Sequence, residues 1–218
     1  MPDDVSEALG LEGPDGAGVR HRLETYVAAL VKWQKRINLI GPGTIPDIWH
    51  RHILDCGQVA RLIPADARRF CDLGSGAGLP GLVLAAMDLG AGEGGCLDLI
   101  ESDARKSAFL REANRLMGTS AQVVIKRIED HAAALAASGA PRYDIITARA
   151  LAPLPKLLEM SENLLKTGGK LLFLKGKASD AELTESEKAW KMTITKTPSA
   201  SDRDGVILLI EDLDRRHG

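Results

Sequence analysis

The sequence predicts an α/β fold, an open and mostly parallel seven-stranded sheet with an antiparallel edge. Short apolar runs alternate with helix-length segments between residues 69 and 175, which is the pattern of a doubly wound sheet. A glycine-rich turn follows the first of these runs. The last two strand-like runs, 191–197 and 205–211, are separated by a polar stretch that suits a hairpin return and therefore an antiparallel edge.

The bulk composition is that of an ordinary globular chain. Its 218 residues are 44% hydrophobic and 27% charged, and a formal net charge of -2 does not by itself indicate a nucleic-acid-binding protein. No apolar run has the length of a membrane span. The three cysteines, Cys56, Cys71 and Cys96, have no metal-ligand spacing. We therefore expect a reduced, cytoplasmic protein that is a monomer and needs no metal.

The N-terminal part of the chain is expected to contain a tail and a helical extension. Residues 1–18 are polar, acidic and contain several glycines, which predicts a flexible tail. Residues 19–64 are expected to be helical, because apolar residues recur at helical spacing between 26 and 37 and a Gly-Pro-Gly cluster at 41–43 ends that helix. A second helix is expected from 46 to 63.

Residues 65–218 are expected to form the Rossmann-like sheet domain. The predicted strands are 69–73, 96–101, 121–126, 143–148, 170–175, 191–197 and 205–211, and the predicted helices between them are 79–89, 103–117, 129–137 and 153–166. Parallel strands need crossover helices, so this alternation places the first five strands in one parallel sheet. Seven strands with an antiparallel edge are typical of class I methyltransferases and differ from the six-stranded dinucleotide-binding fold.

The most informative segment is the turn after the first strand, residues 72–81, which read Asp-Leu-Gly-Ser-Gly-Ala-Gly-Leu-Pro-Gly. The glycines at 74, 76 and 78 permit positive φ and a close approach of the backbone to a ligand. The helix that follows presents free N–H groups and the positive end of its dipole. This turn predicts a nucleotide-type cofactor site with Asp72, Gly74, Gly76 and Gly78 among its ligands.

Two cofactors fit such a turn. The spacing from Gly76 to Gly81 matches the Gly-x-Gly-x-x-Gly fingerprint of dinucleotide-binding proteins. Asp72 argues against NAD, because a carboxylate at the strand end repels a pyrophosphate, whereas it suits the ammonium group of S-adenosylmethionine. We therefore expect S-adenosylmethionine as cofactor and S-adenosylhomocysteine as product, with an NAD enzyme as the alternative.

Five residues at or after strand ends are further candidates for the site. Glu101 ends the second strand, where an acid can bind ribose hydroxyls. Ile128 and Glu129 follow the third strand, where an apolar side chain and a backbone N–H can hold an adenine. Arg149 ends the fourth strand and can bind a cofactor carboxylate or an RNA phosphate. Lys175 ends the fifth strand on the same rim, where it can position the substrate.

Three segments together resemble one family. They are residues 33–39 (Trp-Gln-Lys-Arg-Ile-Asn-Leu), residues 49–55 (Trp-His-Arg-His-Ile-Leu-Asp) and the glycine turn at 72–81. In this order they are similar to the bacterial small-subunit ribosomal RNA guanine-N7 methyltransferases, also called glucose-inhibited division protein B. The match covers about residues 22–177 and continues through Glu101-Ser102, Lys106, Phe109-Leu110, Arg149-Ala150 and Lys175-Gly176.

The resemblance implies transfer of a methyl group to guanine N7 in 16S ribosomal RNA, either free or in a small-subunit particle. It places the cofactor contacts on Gly74, Leu79, Ile128, Glu129 and Arg149, with Glu101 near the ribose. It also implies that the segment 47–55 flanks the mouth of the site. Its histidines, His50 and His52, have the plainer alternative of half-buried residues with satisfied hydrogen bonds.

Neither the residues nor the resemblance points to a general base, because the lone pair of guanine N7 is already free at neutral pH. Arg149 and Lys175 are accordingly expected to position the substrate. Two other functions are compatible with the sequence. One is a small-molecule methyltransferase on the same fold, since a fold does not determine its substrate. The other is a cofactor-binding, RNA-associated protein without turnover.

Overall fold

A computed structural model of the chain, which describes residues 1–216, contains one seven-stranded sheet. Its strands are β1 (Arg69–Leu73), β2 (Cys96–Ile100), β3 (Gln122–Val124), β4 (Tyr143–Arg149), β5 (Leu165–Lys175), β6 (Trp190–Pro198) and β7 (Val206–Arg215). The order across the sheet is β3-β2-β1-β4-β5-β7-β6. Strands β1 to β5 are parallel, and β7 pairs antiparallel with both β5 and β6, so the predicted fold class is confirmed.

Helices cover both faces of this sheet. The α-helices are α1 (Asp3–Leu9), α2 (Ala17–Gln34), α3 (Asp55–Gly57), α4 (Gly81–Ala86), α5 (Ala104–Met117), α6 (Ile128–Ser138), α7 (Leu154–Glu162) and α8 (Ser179–Ser186). Within residues 1–216, none of the helices combines the length and the apolar character needed to cross a bilayer.

The alternation of side chains along the strands divides the core into two clusters. Phe70 and Leu99 face the cluster that contains residues of α2, α4 and α5, whereas Cys71 and Ile100 face the cluster that contains residues of α6, α7 and α8. Successive residues of a strand point to opposite faces, so buried strands with apolar residues on both sides require a helical layer on each face.

The helical extension shares a core with the sheet. The ring of Tyr26 in α2 lies 6.4 Å from the ring of Phe109 in α5, and the Trp33 ring lies 5.9 Å from it. Tyr26 and Phe109 both have 0% of their surface exposed. The extension is therefore packed on the face that also carries α4 and α5. The division of the chain at residue 64 stays a prediction.

The first residues do not form the flexible tail expected for 1–18. Helix α1 lies there, and Val5 has 0% exposed surface while Leu9 and Leu11 each have 7%. Three apolar side chains are too few to give a clear periodicity among acidic residues and glycines, so the sequence pattern does not show this helix.

The chain after residue 41 is more irregular than the single helix expected from 46 to 63. It runs through a 3₁₀ turn at Pro42–Asp47, a π-helical turn at Trp49–Leu54, the short helix α3 and another 3₁₀ turn at Gln58–Leu62. Each change of helical pitch rotates the side chains that follow, so a single face with a 3.6-residue period does not describe this segment. Turns of π type occur frequently at functional sites.

Replacing Val5 with alanine tests whether α1 is part of the packed core. Because the side chain is fully buried, Val5→Ala is expected to lower the free energy of unfolding by about 2 kcal/mol. Glu7→Ala, on the exposed side of the same helix, is the control and should have little effect. Urea unfolding measures the free energy of unfolding of both variants. Equal values for the two would support a flexible tail at residues 1–18 instead.

Candidate functional site

A crevice of about 620 Å³ opens at the carboxyl ends of β1, β2 and β4, the edge where open α/β sheets bind ligands. Its walls come mainly from five parts of the chain: 39–41, 74–77, 100–102, 126–129 and 149–151. This volume falls within the range of small-molecule and cofactor sites.

Asp72 supports the glycine turn from beneath the crevice. It has only 1% exposed surface, and its carboxylate accepts hydrogen bonds from Thr147 Oγ1 at 2.8 Å and from the Gly81 N–H at 3.3 Å. Burial raises the pKa of Asp72 to about 6, although both of these hydrogen bonds oppose the shift. Asp72 does not line the crevice, and its contact with the cofactor ammonium stays a prediction. It holds the turn and the start of α4 together.

The glycines of the turn differ in what surrounds them. Gly76 has a φ of +53°, and the nearest atom to a Cβ built there is 3.6 Å away, so the backbone is open to a ligand. A Cβ on Gly74 would lie 2.5 Å from the side chain of Leu151, and one on Gly78 would lie 2.5 Å from that of Leu82. Gly74 and Gly76 line the crevice, whereas Gly78 does not and is closely packed, so its cofactor contact stays a prediction.

Glu101 holds the turn from the side of β2. Its Oε2 accepts the Gly76 N–H at 2.9 Å, and its Oε1 accepts the Asp103 N–H at 2.7 Å. The residue has 8% exposed surface and lines the crevice. The carboxylate is therefore fixed beside the turn, at a strand end where an acid can meet ribose hydroxyls.

The turn between β3 and α6 forms one end of the crevice. Ile128, with 8% exposed surface, and Glu129 line it. Lys126 and Arg127, which no sequence motif marks as site residues, line it as well. Both residues lie in a polar turn, and no sequence pattern distinguishes a charged residue that binds a ligand from one that is only solvated. A buried apolar side chain beside the free N–H groups of a helix start suits a flat heterocycle.

Arg149 lies at the end of β4, and its side chain is fixed by the irregular segment. Its Nε lies 3.1 Å from Asp55 Oδ2 in an ion pair. Its Nη1 lies 2.9 Å from Nδ1 of His52, and its Nη2 donates to the carbonyl of Arg51 at 2.8 Å. The side chain lines the crevice with 20% of its surface exposed. Every nitrogen of this guanidinium therefore has a partner between residues 51 and 55.

His52 continues these contacts to the lip of the crevice. Its Nε2 lies 2.7 Å from Thr44 Oγ1, and that hydroxyl donates to the Gly41 carbonyl at 2.7 Å. Burial, together with the neighbouring charge of Arg149, lowers the pKa of His52 to about 4. A guanidinium only donates hydrogen bonds, so Nδ1 accepts and the neutral imidazole carries its proton on Nε2.

Two other expected positions lie outside the crevice. Lys175 Nζ lies 2.6 Å from Glu182 Oε2 and donates to the Ala152 carbonyl at 3.1 Å. These contacts tie the end of β5 to α8, and the role of Lys175 in positioning the substrate stays a prediction. His50 Nε2 lies 2.7 Å from Asp4 Oδ2 and connects the irregular segment to α1. This contact agrees with the plainer alternative for His50, a half-buried residue with satisfied hydrogen bonds.

Two further features that the sequence does not reveal complete the walls of the crevice. The hydroxyl of Tyr26 donates to the Ala77 carbonyl at 2.6 Å, which ties α2 to the glycine turn. Ala150 has a φ of 52°, a strained conformation for a residue with a Cβ. Leu151, which follows it, lines the crevice and packs against Gly74.

Comparisons with known proteins agree with one another. A family model described as rRNA small subunit methyltransferase G matches residues 20–204. A Ribosomal RNA small subunit methyltransferase G from Paramagnetospirillum magneticum is 50% identical over 194 residues, which is 89% of each chain. A protein of the same name from Rhodospirillum rubrum is 44% identical over 209 residues, covering 96% of this chain and 98% of the relative.

Solved structures show the same fold at low sequence identity. The O-methyltransferase from Bacillus cereus in complex with SAH superposes with a TM-score of 0.60 at 13% identity, covering 96% of each chain. A putative O-methyltransferase from Klebsiella pneumoniae gives a TM-score of 0.58 at 16% identity, covering 96% of this chain and 94% of that one. Both have the methyltransferase arrangement of strands and helices.

The buried carboxyl of Asp72 predicts a pH-dependent stability. Its folded-state pKa of about 6 lies above the ordinary value of 3.8, so its stabilising contribution is complete below pH 3.8 and is lost as the pH rises through 6. Asparagine does not titrate. The free energy of unfolding of the unmodified protein should therefore fall relative to that of Asp72→Asn across this window, by up to about 1.4 kcal/mol per pH unit. Urea unfolding at several pH values measures the difference, and a constant difference would contradict it.

Proposed function

This chain belongs to the rRNA small subunit methyltransferase G family, and on that premise we propose that it methylates N7 of a guanine in small-subunit ribosomal RNA, with S-adenosylmethionine as the methyl donor. One observation carries the proposal, a crevice of about 620 Å³ in which the glycine turn, Glu101 and Arg149 meet at the carboxyl ends of the strands. The S-adenosylhomocysteine complex of the Bacillus cereus neighbour, which has the same fold, supports the choice of cofactor.

Successive parts of the crevice wall suit the amino-acid portion, the ribose and the adenine of that cofactor. The open backbone at Gly76 and the side chain of Leu79 are proposed to contact its amino-acid portion. Glu101, beside them, is proposed to accept hydrogen bonds from the ribose. Ile128 and the backbone of Glu129 are proposed to hold the adenine at the end of the crevice formed by the β3–α6 turn.

The reaction requires the protein mainly to position the methyl donor and the guanine base. When bound, the cofactor supplies an electrophilic methyl group on a positively charged sulfur. The lone pair of guanine N7 carries no proton that must be removed, so the residues of the crevice need not include a general base. Holding the base in line with the methyl group is then the principal contribution of the protein to the rate.

The acceptor is proposed to be small-subunit ribosomal RNA, free or within a particle, which would place the protein in the cytoplasm. N7 of guanine lies in the deep major groove of an RNA helix, so the target must be unpaired or turned out of its stack. Lys126 and Arg127 are exposed beside the crevice and can meet phosphates of such a strand.

Replacing Gly76 tests the cofactor site. Gly76→Val adds a branched side chain where the backbone is open to the crevice and has positive φ, so binding of S-adenosylhomocysteine should be lost. Gly92→Val is the matched control, because Gly92 also has positive φ, with nothing within 4 Å of its added Cβ, and lies in an exposed loop. Titration calorimetry should show binding to the control alone. Unchanged binding by Gly76→Val would remove the turn from the site.

Incubation with labelled S-adenosylmethionine tests the reaction. The acceptor is small-subunit particles, or their RNA, from cells that lack this protein, followed by nucleoside analysis. Label is expected on N7 of one guanine. The methyl-transfer step should be independent of pH between about 7 and 9, because neither the donor nor N7 titrates there, and the pKa values of His52 and Asp72 are about 4 and about 6. Label on a ribose, on protein or at another base position would refute the assignment.

A further inference from the structure

We infer that Ser199 and Ser201, in the loop between β6 and β7, are positioning residues for cofactor binding. They hold Asp55, and Asp55 in turn directs the guanidinium of Arg149 towards the carboxylate of the cofactor's amino-acid portion. The inference rests on the proposed function, in which Arg149 belongs to the cofactor site. Neither serine lines the crevice, so an effect on the cofactor must pass through the residues that lie between.

The two carboxylate oxygens of Asp55 have different partners. Oδ2 lies 3.1 Å from Nε of Arg149, and only 13% of the Asp55 side chain is exposed. Oδ1 accepts hydrogen bonds from the hydroxyls of Ser199 and Ser201, at 2.8 and 3.1 Å, and from the Gln58 amide at 3.2 Å. Three donors on one oxygen fix the rotation of the carboxylate and stabilise its negative charge on the side away from Arg149.

The hydroxyl of Ser199 is committed to Asp55. Its oxygen accepts from the Gln58 amide and from the Ser201 N–H, each at 3.1 Å. Both lone pairs are therefore occupied, and the single hydroxyl proton is left for Asp55. The Ala200 N–H donates to the side-chain oxygen of Gln58 at 2.9 Å, which ties the loop to the same glutamine. The loop is thus fixed relative to the irregular segment that carries Asp55.

Arg149 keeps two N–H groups for a ligand while Asp55 holds its Nε. Nδ1 of His52 accepts one N–H of Nη1, and the carbonyl of Arg51 accepts one N–H of Nη2. Each Nη atom carries two N–H groups, so each retains one beyond these contacts. Paired donors of a guanidinium suit the two oxygens of a carboxylate.

The position of Arg149 in the crevice favours the amino-acid portion of the cofactor. Leu151, two residues further along, packs against Gly74 of the glycine turn, and both line the crevice together with Arg149. The glycine turn is the part of the site proposed to contact the amino-acid portion. A loop with a merely structural role would affect binding of every part of the cofactor. A loop that directs Arg149 affects only ligands that carry the carboxylate.

The first experiment compares two ligands by titration calorimetry. S-adenosylhomocysteine carries the amino-acid carboxylate, whereas 5′-methylthioadenosine has the same adenosine and thioether without it. The double variant Ser199→Ala/Ser201→Ala removes two of the three donors to Oδ1 of Asp55. Its affinity for S-adenosylhomocysteine should fall at least about fivefold, and its affinity for 5′-methylthioadenosine should change by less than about twofold. The thermal midpoint of each variant shows that it is folded.

Thr193→Ala is the matched control for the double variant. The Thr193 hydroxyl, in the same hairpin, also donates to a carboxylate, that of Asp212 at 3.0 Å, but both residues are exposed. This variant should leave both affinities unchanged. Ser199→Ala alone should show a smaller loss confined to S-adenosylhomocysteine, and Ser199→Thr, which keeps the hydroxyl, should show none. Equal losses for the two ligands, or no loss for either, would overturn the inference.

The second experiment tests whether the two serines act through Arg149. Arg149→Lys keeps a positive charge opposite Asp55 but has no guanidinium, so affinity for S-adenosylhomocysteine should fall. Adding the two serine substitutions to Arg149→Lys should then reduce this affinity by less than about twofold further, because the residue through which they act is already changed. A further loss as large as in the unmodified protein would overturn the inference. Failure of the unmodified protein to bind S-adenosylhomocysteine would instead refute the proposed function.

Discussion

The ion pair between Arg149 and Asp55 is the interaction on which the shape of the site depends. It joins three parts of the chain that are distant in sequence: the end of β4, the irregular segment near residue 55 and the loop between β6 and β7, whose Ser199 and Ser201 hydroxyls bind Asp55. Both charges are largely removed from solvent, so each needs the other. Loss of one partner would leave the second charge without compensation in a poorly solvated place.

The glycine turn is held in a comparable way, but by contacts to its backbone. Tyr26 binds the Ala77 carbonyl, Glu101 binds the Gly76 N–H, and Asp72 binds the N–H of Gly81 just beyond the turn. A turn with several glycines would be mobile if these groups were free. Fixing it before the ligand arrives reduces the conformational entropy lost on binding. The extension and the sheet therefore both contribute to the same crevice.

Much of this arrangement could be predicted from sequence because it follows from strand ends. In a parallel sheet, the residues that end neighbouring strands meet at one edge, so Glu101 and Arg149 could be placed beside the glycine turn. The sequence could not show which side of that edge a residue faces. The position of Asp72 beneath the turn therefore could not be predicted. Nor could it show pairing partners: Lys175 binds Glu182 of α8, a helix that is not among those predicted from the sequence.

The strand order β5-β7-β6 has a consequence for the order in which the protein is made. The loop that carries Ser199 and Ser201 sits between the last two strands, and β7, the last strand of the chain, lies between β5 and β6 in the sheet. Asp55 is translated long before these partners leave the exit tunnel. A nascent chain can therefore contain the complete glycine turn while the surroundings of Asp55 are still unassembled. The contacts that hold Asp55, and through it Arg149, are thus completed only when synthesis of the chain is almost finished.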